Sequence, residues 1–299
     1  MRPQSALALK GPSVEEWTDV HFFRPVGIRI ARALAPTRAT ADQVTVVGLV
    51  IGLAAGHLLV YQRLWVNLAG VALLVCSDLF DSADGQLARL KGTSTRFGRV
   101  IDGLSDTLRF LNLYVHLFVR MVHGEGWGWP ALALVGVVIW SHSLQGAAVD
   151  FIKNAYLELG AEGGGETDLP EDLAPEAPGG ALARAVHRLY RAYVRRQVTM
   201  FPVTYRALQA VRSGRGPAGS ERWAERQAGL LPVLTLIATN IRFALLAAAV
   251  VAGHVEWFLW ATAVPMNLVL VGVVLLHERN AAALERASAG RAGVAAVGD

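Results

Sequence analysis

Six apolar stretches recur along the chain, at about Val44–Val60, Trp65–Phe80, Leu104–Val122, Trp129–Val149, Leu230–Val251 and Trp257–Leu276. Each approaches the roughly 17–25 residues that a helix needs to cross the hydrocarbon core of a bilayer. The pattern predicts an all-α, polytopic membrane protein with six transmembrane helices. Ahead of the first stretch, Trp17, Val20, Phe23, Val26, Ile30 and Leu34 recur at spacings of three or four, with Arg24, Arg29 and Arg32 elsewhere around the helix. This amphipathic helix either lies in the interface or packs on the protein's own cytoplasmic surface, and Pro25 kinks it or divides it. Three segments follow: an N-terminal cytoplasmic segment with the interfacial helix (1–43), a six-helix membrane domain (44–276) with a cytoplasmic loop at 151–227, and a C-terminal tail (277–299).

Charge orients the helices. Arg24, Arg29, Arg32 and Arg38 precede the first stretch, and Arg89, Lys91, Arg96 and Arg99 lie between the second and third. Lys153, Arg184, Arg188, Arg191, Arg195 and Arg196 lie between the fourth and fifth, whereas the opposite turns hold little besides Arg63. Both termini are therefore expected in the cytoplasm. Trp65, Trp127, Trp129 and Trp257 fall at the expected outer ends, where amphipathic rings prefer the interface. The composition agrees, with 53% hydrophobic and 17% charged residues and a mean hydropathy of +0.38. The net charge of +4 is the basic excess expected of cytoplasmic loops and argues against nucleic acid as a partner. Cys76 is alone, so no intrachain disulfide is expected. The N-terminus lacks the charged start and apolar core of a cleavable signal, leaving the first helix to direct insertion.

The segment between Leu159 and Ala181 combines Gly, Pro and acidic residues with few apolar anchors and reads as a mobile loop. Beyond it, Leu182, Val186, Leu189 and Tyr193 form one stripe and Arg184, Arg188, Arg191 and Arg195 another, suited to an anionic lipid surface.

The chemistry concentrates between Asp78 and Asp106. Carboxylates in membrane helices are costly and need compensation. Asp81 and Asp84 are three apart and Asp102 and Asp106 four apart, so each pair shares one helix face. The short link Gly92–Thr95 permits an antiparallel hairpin that brings the pairs together. Converging carboxylates are commonly matched by hard divalent ions, and two such ions suit phosphoryl transfer. Salt bridges to Arg89, Arg96 and Arg99, or a proton or sodium pathway, are open alternatives.

The run Asp81, Asp84-Gly85, Ala88-Arg89, Gly98, Asp102 and Asp106, with two, two, eight, three and three intervening residues, resembles the signature of the CDP-alcohol phosphotransferases at every fixed position. The resemblance implies that Asp81, Asp84 and Asp102 bind metal, two Mg²⁺ or Mn²⁺ ions in all. It places Asp106 near the second ion as the base for the acceptor hydroxyl. It assigns Asp81, Asp84, Gly85, Ala88 and Arg89 to the nucleotide, and it implies a homodimer. Thr40-Ala41-Asp42-Gln43-Val44-Thr45 resembles the family's Thr-Pro-Asn-x-x-Thr entry to the first span, with Ala41 and Asp42 as departures; Thr45 is thereby a nucleotide-binding candidate, and Asp42 either alters the site's charge or caps the helix. Other polar groups in the apolar runs, Arg242 above all with Asp150, Lys153, Gln145 and Arg109, are candidates for binding the acceptor. Asp78, His142, Asn240 and Asn267 extend that set, while His57 reads as a helix-contact residue.

The expected activity transfers a phosphatidyl group from CDP-diacylglycerol to a polar hydroxyl at the cytoplasmic face of a prokaryotic inner membrane, with release of CMP. The reverse arrangement, a CDP-linked head group meeting a lipid alcohol, uses the same chemistry. A cation-coupled transporter would also carry intramembrane carboxylates but would not require Gly85, Ala88 and Arg89, and would place its acids near the midplane.

Overall fold

The computed structural model describes residues 13–94, 96–160, 167–174, 180–213 and 220–295. Among them every regular element is helical: α1 (Arg24–Leu34), α2 (Ala41–Leu58), α3 (Leu64–Lys91), α4 (Arg96–Gly124), α5 (Trp129–Leu159), α6 (Ala181–Met200), α7 (Pro202–Arg212), α8 (Ser220–Ala228), α9 (Leu231–Leu234), α10 (Thr239–Ala252), α11 (Val255–Ala263) and α12 (Pro265–Ala295). Four spans are long and apolar enough to cross a membrane: Ala41–Leu58, Leu64–Lys91, Trp129–Leu159 and Val255–Arg286. A fifth, Leu231–Ile237 with Thr239–Ala252, is broken by a 42° bend. The third expected stretch lies on α4, which has the length but carries Asp102, Asp106, Arg109 and Arg120 and does not meet that standard of apolarity. The last stretch continues as helix to Ala295 rather than ending at Leu276.

Local signals explain the boundaries of the helices that build the site. Thr40 caps α2: Gln43 N–H donates to Thr40 Oγ1 at 3.2 Å, and Thr40 N–H donates to Gln43 Oε1 at 3.0 Å. This reciprocal pair satisfies two otherwise orphaned donors. Asp42 is therefore not the cap; it lies in the first turn, where a carboxylate complements the helix dipole. Helix α3 ends at Gly92, whose φ of 66° is the left-handed conformation that glycine adopts without Cβ crowding. Thr93 N–H and Gly92 N–H then donate to the Ala88 and Arg89 carbonyls at 2.9 and 3.3 Å.

Two compact units divide the chain, the first comprising 1–143 and 239–265 and the second 144–238 and 266–299. In the first unit, Leu59, Leu74, Leu113, Tyr114, Leu117, Val138 and Phe258 belong to a single core. Glycines bring the helices close: a Cβ at Gly70 would stand 3.0 Å from the Ala55 carbonyl oxygen, and one at Gly48 would stand 3.1 Å from Phe80 Cβ. Large apolar side chains such as Val50, Leu132, Trp140 and Leu268 face outward, as lipid contact requires. Trp65, Trp129 and Trp257 are likewise exposed near helix starts, whereas Trp127 packs against the core.

A π-helical turn, Asp19–Phe23, leads directly into α1, with Pro25 at its start, so the chain runs through Pro25 without a break. Phe23, Gly27 and Ala31 are buried, and the stripe read from the sequence is thus shifted. This face packs on α3: Ser82 Oγ donates to the Phe23 carbonyl at 3.2 Å and Gln86 Nε2 to the Arg24 carbonyl at 3.3 Å. Lys91 Nζ ties the link that follows α1 to the end of α3, donating to the Thr37 and Ala39 carbonyls at 2.9 and 2.7 Å.

The second unit is built on the C-terminal part of α5, helices α6–α9 and α12. Phe151 and Phe201 stack at 4.8 Å, and Glu278 accepts from the N–H groups of Val203 and Thr204 at the start of α7 at 2.7 and 3.1 Å. Residues 167–174 correct the reading of a mobile loop for the part that is described. Thr167 and Leu169 are buried, and Arg212 pairs with Glu158 at 2.8 Å and with Asp172 at 2.6 Å. Burial opposes the charge on Arg212, but these two carboxylates more than offset it and raise its pKa above the ordinary arginine value. Residues 161–166 and 175–179 of that loop lie outside the described residues, as do 296–299 of the tail. On α6, Leu182 and Leu189 are exposed as the stripe requires. Tyr193 instead turns inward and donates to Asp150 Oδ2 at 3.1 Å. Burial, together with the neighbouring Asp150 charge, raises the Tyr193 phenol well above its usual pKa.

Candidate active site

Helices α3 and α4 bring three of the four motif carboxylates together. One oxygen from each of Asp81, Asp84 and Asp102 lies within 4.8 Å of the others. Asp84 is buried, and Asp81 and Asp102 are half-buried. Asp102 Oδ1 is buried and finds no donor among the described groups. Three close carboxylates with an unsatisfied buried oxygen are a hard, all-oxygen donor set that fits Mg²⁺ or Mn²⁺. Asp106, one turn beyond Asp102 on the same helix face, is the most exposed of the four, with 46% of its side chain accessible.

Further side chains order the cluster. Thr45 Oγ1 donates to Asp84 Oδ2 at 2.5 Å, linking α2 to α3, and lies 3.1 Å from the Ala41 carbonyl oxygen. Arg109 enters from α4 at 4% exposure. Its Nη2 donates to Asp81 Oδ1 at 3.1 Å and pairs with Asp106; its Nη1 donates to Ser77 Oγ at 2.8 Å and lies 3.9 Å from Asp78. Ser77 Oγ in turn donates to the Gly48 carbonyl at 2.7 Å. Gly85 leaves one side of α3 open: a Cβ there would meet only Arg89 Nη1, at 3.7 Å. Ala88 and Arg89, one turn further, are half-buried. The side chains of Arg96 and Arg99, weighed as salt-bridge partners for the acids, lie outside the described residues.

The other polar residues singled out from the sequence divide between the two units. In the first, Arg242 is 1% exposed and hydrogen-bonds Tyr114, whose hydroxyl lies 2.6 Å from His142 Nδ1. Asn240 donates to Glu16 at 2.9 Å and Asp19 at 3.0 Å. His57 makes edge contacts with Tyr61 and His116 at 5.9 and 5.5 Å, consistent with a helix-contact residue. In the second unit, Asp150 accepts from Asn154 at 2.9 Å and from Tyr193 and Gln197, each at 3.1 Å. Gln145 donates to Asn267 at 2.8 Å, and Lys153 is half-buried on the same helix.

Sequence reasoning did not anticipate Ser77, Gly48 and Gly52 around Arg109. The signal was present: Arg109 lies three residues after Asp106, and Gly48, Gly52 and Gly56 recur every fourth residue, the mark of a face approached closely by another helix.

Comparison with known proteins covers this same region. The sequence model of the CDP-alcohol phosphatidyltransferase family matches residues 38–170. A bifunctional IPC transferase and DIPP synthase of Thermococcus kodakarensis is 27% identical over 155 residues, 52% of this chain and 34% of that protein. An archaetidylinositol phosphate synthase of Pyrococcus horikoshii is 34% identical over 119 residues, 38% of this chain and 58% of its own length. A CDP-diacylglycerol–serine O-phosphatidyltransferase of Mycobacterium leprae is 33% identical over 72 residues, 24% of each chain. The alignments thus span from about a quarter to just over half of these curated relatives. Every residue of the carboxylate cluster lies within 38–170, the stretch that is similar to the CDP-alcohol phosphatidyltransferase family.

Proposed function

We propose that this protein is a metal-dependent CDP-alcohol phosphotransferase that moves a phosphatidyl group from CDP-diacylglycerol to a polar hydroxyl acceptor and releases CMP. The observation that carries the reading is the convergence of Asp81, Asp84 and Asp102 within 4.8 Å. The names of the relatives support the class, since all three denote transferases or synthases and none a transporter.

In this account Asp81, Asp84 and Asp102 hold the divalent ions, with Asp106 beside the second. Bound ions would neutralise the diphosphate and the departing CMP. Gly85 and Ala88 leave room for the nucleotide against α3, and Arg89 contacts its phosphates. Thr45 supports the nucleotide site through Asp84. Asp106 takes the proton of the acceptor hydroxyl. The acceptor oxygen bonds to the phosphorus distal to the cytidine, the bond from that phosphorus to the bridging oxygen breaks, and CMP leaves with the electron pair.

The membrane arrangement belongs to the same proposal. Helix α4 serves as a third span because Asp102, Asp106 and Arg109 belong to the site while Arg120 pairs with Glu125 at 2.7 Å. With the bent pair α9–α10 as the fifth, six spans result, with α1 at the interface, the termini and site cytoplasmic in a prokaryotic inner membrane, and a homodimer as the working form. Arg242, Lys153, Asp150 and Gln145 are each kept as acceptor candidates; Arg242 bonds Tyr114, and Asp150 and Gln145 bond within their own unit.

The donor is tested by incubating the purified protein and Mn²⁺ with radiolabelled CDP-diacylglycerol or a CDP-linked head group, each against a panel of alcohols. Label passing from CDP-diacylglycerol to a polar alcohol is expected; transfer only from the head-group donor to a lipid alcohol would reverse the assignment.

A further inference from the structure

Sequence alone makes Arg109 a candidate for binding the acceptor, but its surroundings point to another role. We propose that Arg109 is a positioning residue that holds Asp106 and Asp81 at fixed separation across α3 and α4 and supplies the positive charge internal to the carboxylate site. This inference rests on the reaction proposed above.

Four observations converge on it. Arg109 is nearly inaccessible, at 4% exposure, so its guanidinium is not presented to an incoming alcohol. Its Nη2 lies 3.1 Å from Asp81 Oδ1 and also pairs with Asp106. One nitrogen therefore bridges a carboxylate from each helix while the other arm of the same planar fork reaches Ser77, a division between two fixed nitrogens that a point-charge ammonium cannot reproduce. The fork is anchored from behind: Nη1 donates to Ser77 Oγ at 2.8 Å, and Ser77 is fixed by its 2.7 Å hydrogen bond to the Gly48 carbonyl. The stem, finally, passes over a glycine reserved for it. A Cβ on Gly52 would stand 2.6 Å from Arg109 Cδ and 2.8 Å from Cγ.

The chemistry gives such a clamp a reason. Asp81 and Asp106 repel each other, and they belong to different parts of the proposed mechanism, one to ion binding and one to proton transfer. A cation bonded to both fixes the base relative to the ion site without occupying the face open to solvent, where Asp106 retains 46% of its side-chain exposure.

The test uses full-length protein in lipid nanodiscs, with Arg109→Gln, Arg109→Lys and Gly52→Ala compared with wild type for CMP release and for Mn²⁺ binding followed by electron paramagnetic resonance. Arg109→Gln is expected to lower kcat at least 30-fold, with KM for donor and acceptor within threefold and Mn²⁺ bound as tightly as in wild type or tighter, because a cation has left the site. Lysine should recover part of the loss. Gly52→Ala, which displaces the stem without touching a carboxylate, should reproduce the kcat defect. Wild-type turnover in Arg109→Gln would overturn the proposal. So would a defect confined to the acceptor KM, which would return Arg109 to acceptor binding, or a parallel loss of Mn²⁺ affinity and thermal stability, which would mark a merely structural role. If wild type itself releases no CMP from any donor, the reaction reading fails, and the Mn²⁺ arm still decides: weakened binding in Arg109→Gln contradicts a charge-compensating clamp.

Discussion

Thr45 on α2 donates its hydroxyl proton to Asp84 on α3 at 2.5 Å, so one oxygen of a buried carboxylate is oriented by the helix next to it. Removing that donor while keeping the shape, as in Thr45→Val, is expected to lower kcat/KM about 10-fold, the order of magnitude of a hydrogen bond to a charged group, while Thr45→Ser retains activity. Steady-state kinetics on the two variants check this, and equal losses in both would remove Asp84 orientation as the cause.

Asp106 is separable from its three neighbours. Because it is the most exposed of the four and is placed at the proton rather than within the close triad, Asp106→Asn is expected to keep Mn²⁺ and CDP-donor binding. Its turnover should fall by about 10²–10⁴, the usual contribution of a general base. Calorimetric binding combined with single-turnover CMP release distinguishes the two properties; turnover within a few-fold of wild type would displace Asp106 from that role.

The glycine contacts give a stability prediction with its own control. A methyl at Gly70 would meet the Ala55 carbonyl at 3.0 Å, a backbone atom that cannot swing aside, whereas one at Gly136 meets nothing within 4 Å. Gly70→Ala should cost about 1–3 kcal/mol by overpacking, and Gly136→Ala should be neutral or stabilise by up to about 1 kcal/mol through helix propensity. Thermal unfolding in detergent should order the melting temperatures accordingly, with Gly70→Ala lowest.

Arg212 fastens the segment 167–174 to α7. Thr167 N–H donates to Glu158 Oε2 at 3.0 Å and Leu169 N–H to Asp172 Oδ2 at 2.9 Å, and Arg212 pairs with both acids. Arg212→Ala is expected to speed hydrogen exchange at the amides of Thr167 and Leu169 at least 10-fold while leaving α3 and α4 unchanged. Unaltered protection at both amides would mean that the segment is held by its buried leucines instead.

Much of this organisation was legible in the sequence because the bilayer imposes it. Five of the six apolar stretches fall on elements that meet a membrane criterion, and the spacing of Asp81 with Asp84 and of Asp102 with Asp106, on two helices joined through Gly92, predicted the convergence of two pairs, of which Asp81, Asp84 and Asp102 meet within 4.8 Å. Properties that depend on tertiary partners were not legible. Hydropathy alone cannot tell that the charges of α4 are gathered, with Asp102 within 4.8 Å of Asp81 and Asp84 and Asp106 paired with Arg109. Tyr193 falls on an apolar stripe by periodicity, yet turns inward because Asp150 offers its hydroxyl an acceptor. The acidic composition around 167–174 hides Leu169 and Leu173, which bury the segment, and the arginine at 212 that fastens it lies about forty residues away. Arg109 was visible as a charge three residues from Asp106, but only the approach of Ser77 and Gly52 shows which way it faces.

The central claim, that the carboxylate cluster performs divalent-dependent transfer from a CDP-linked lipid, is tested most directly by CMP release. Purified wild type and Asp81→Asn are incubated in nanodiscs with CDP-diacylglycerol and an alcohol panel, with Mn²⁺ titrated from chelator excess to saturation. The account predicts CMP formation by wild type that rises with Mn²⁺, disappears with chelator and is absent in Asp81→Asn at every Mn²⁺ concentration. CMP release that ignores the chelator, or that survives in Asp81→Asn, would contradict it.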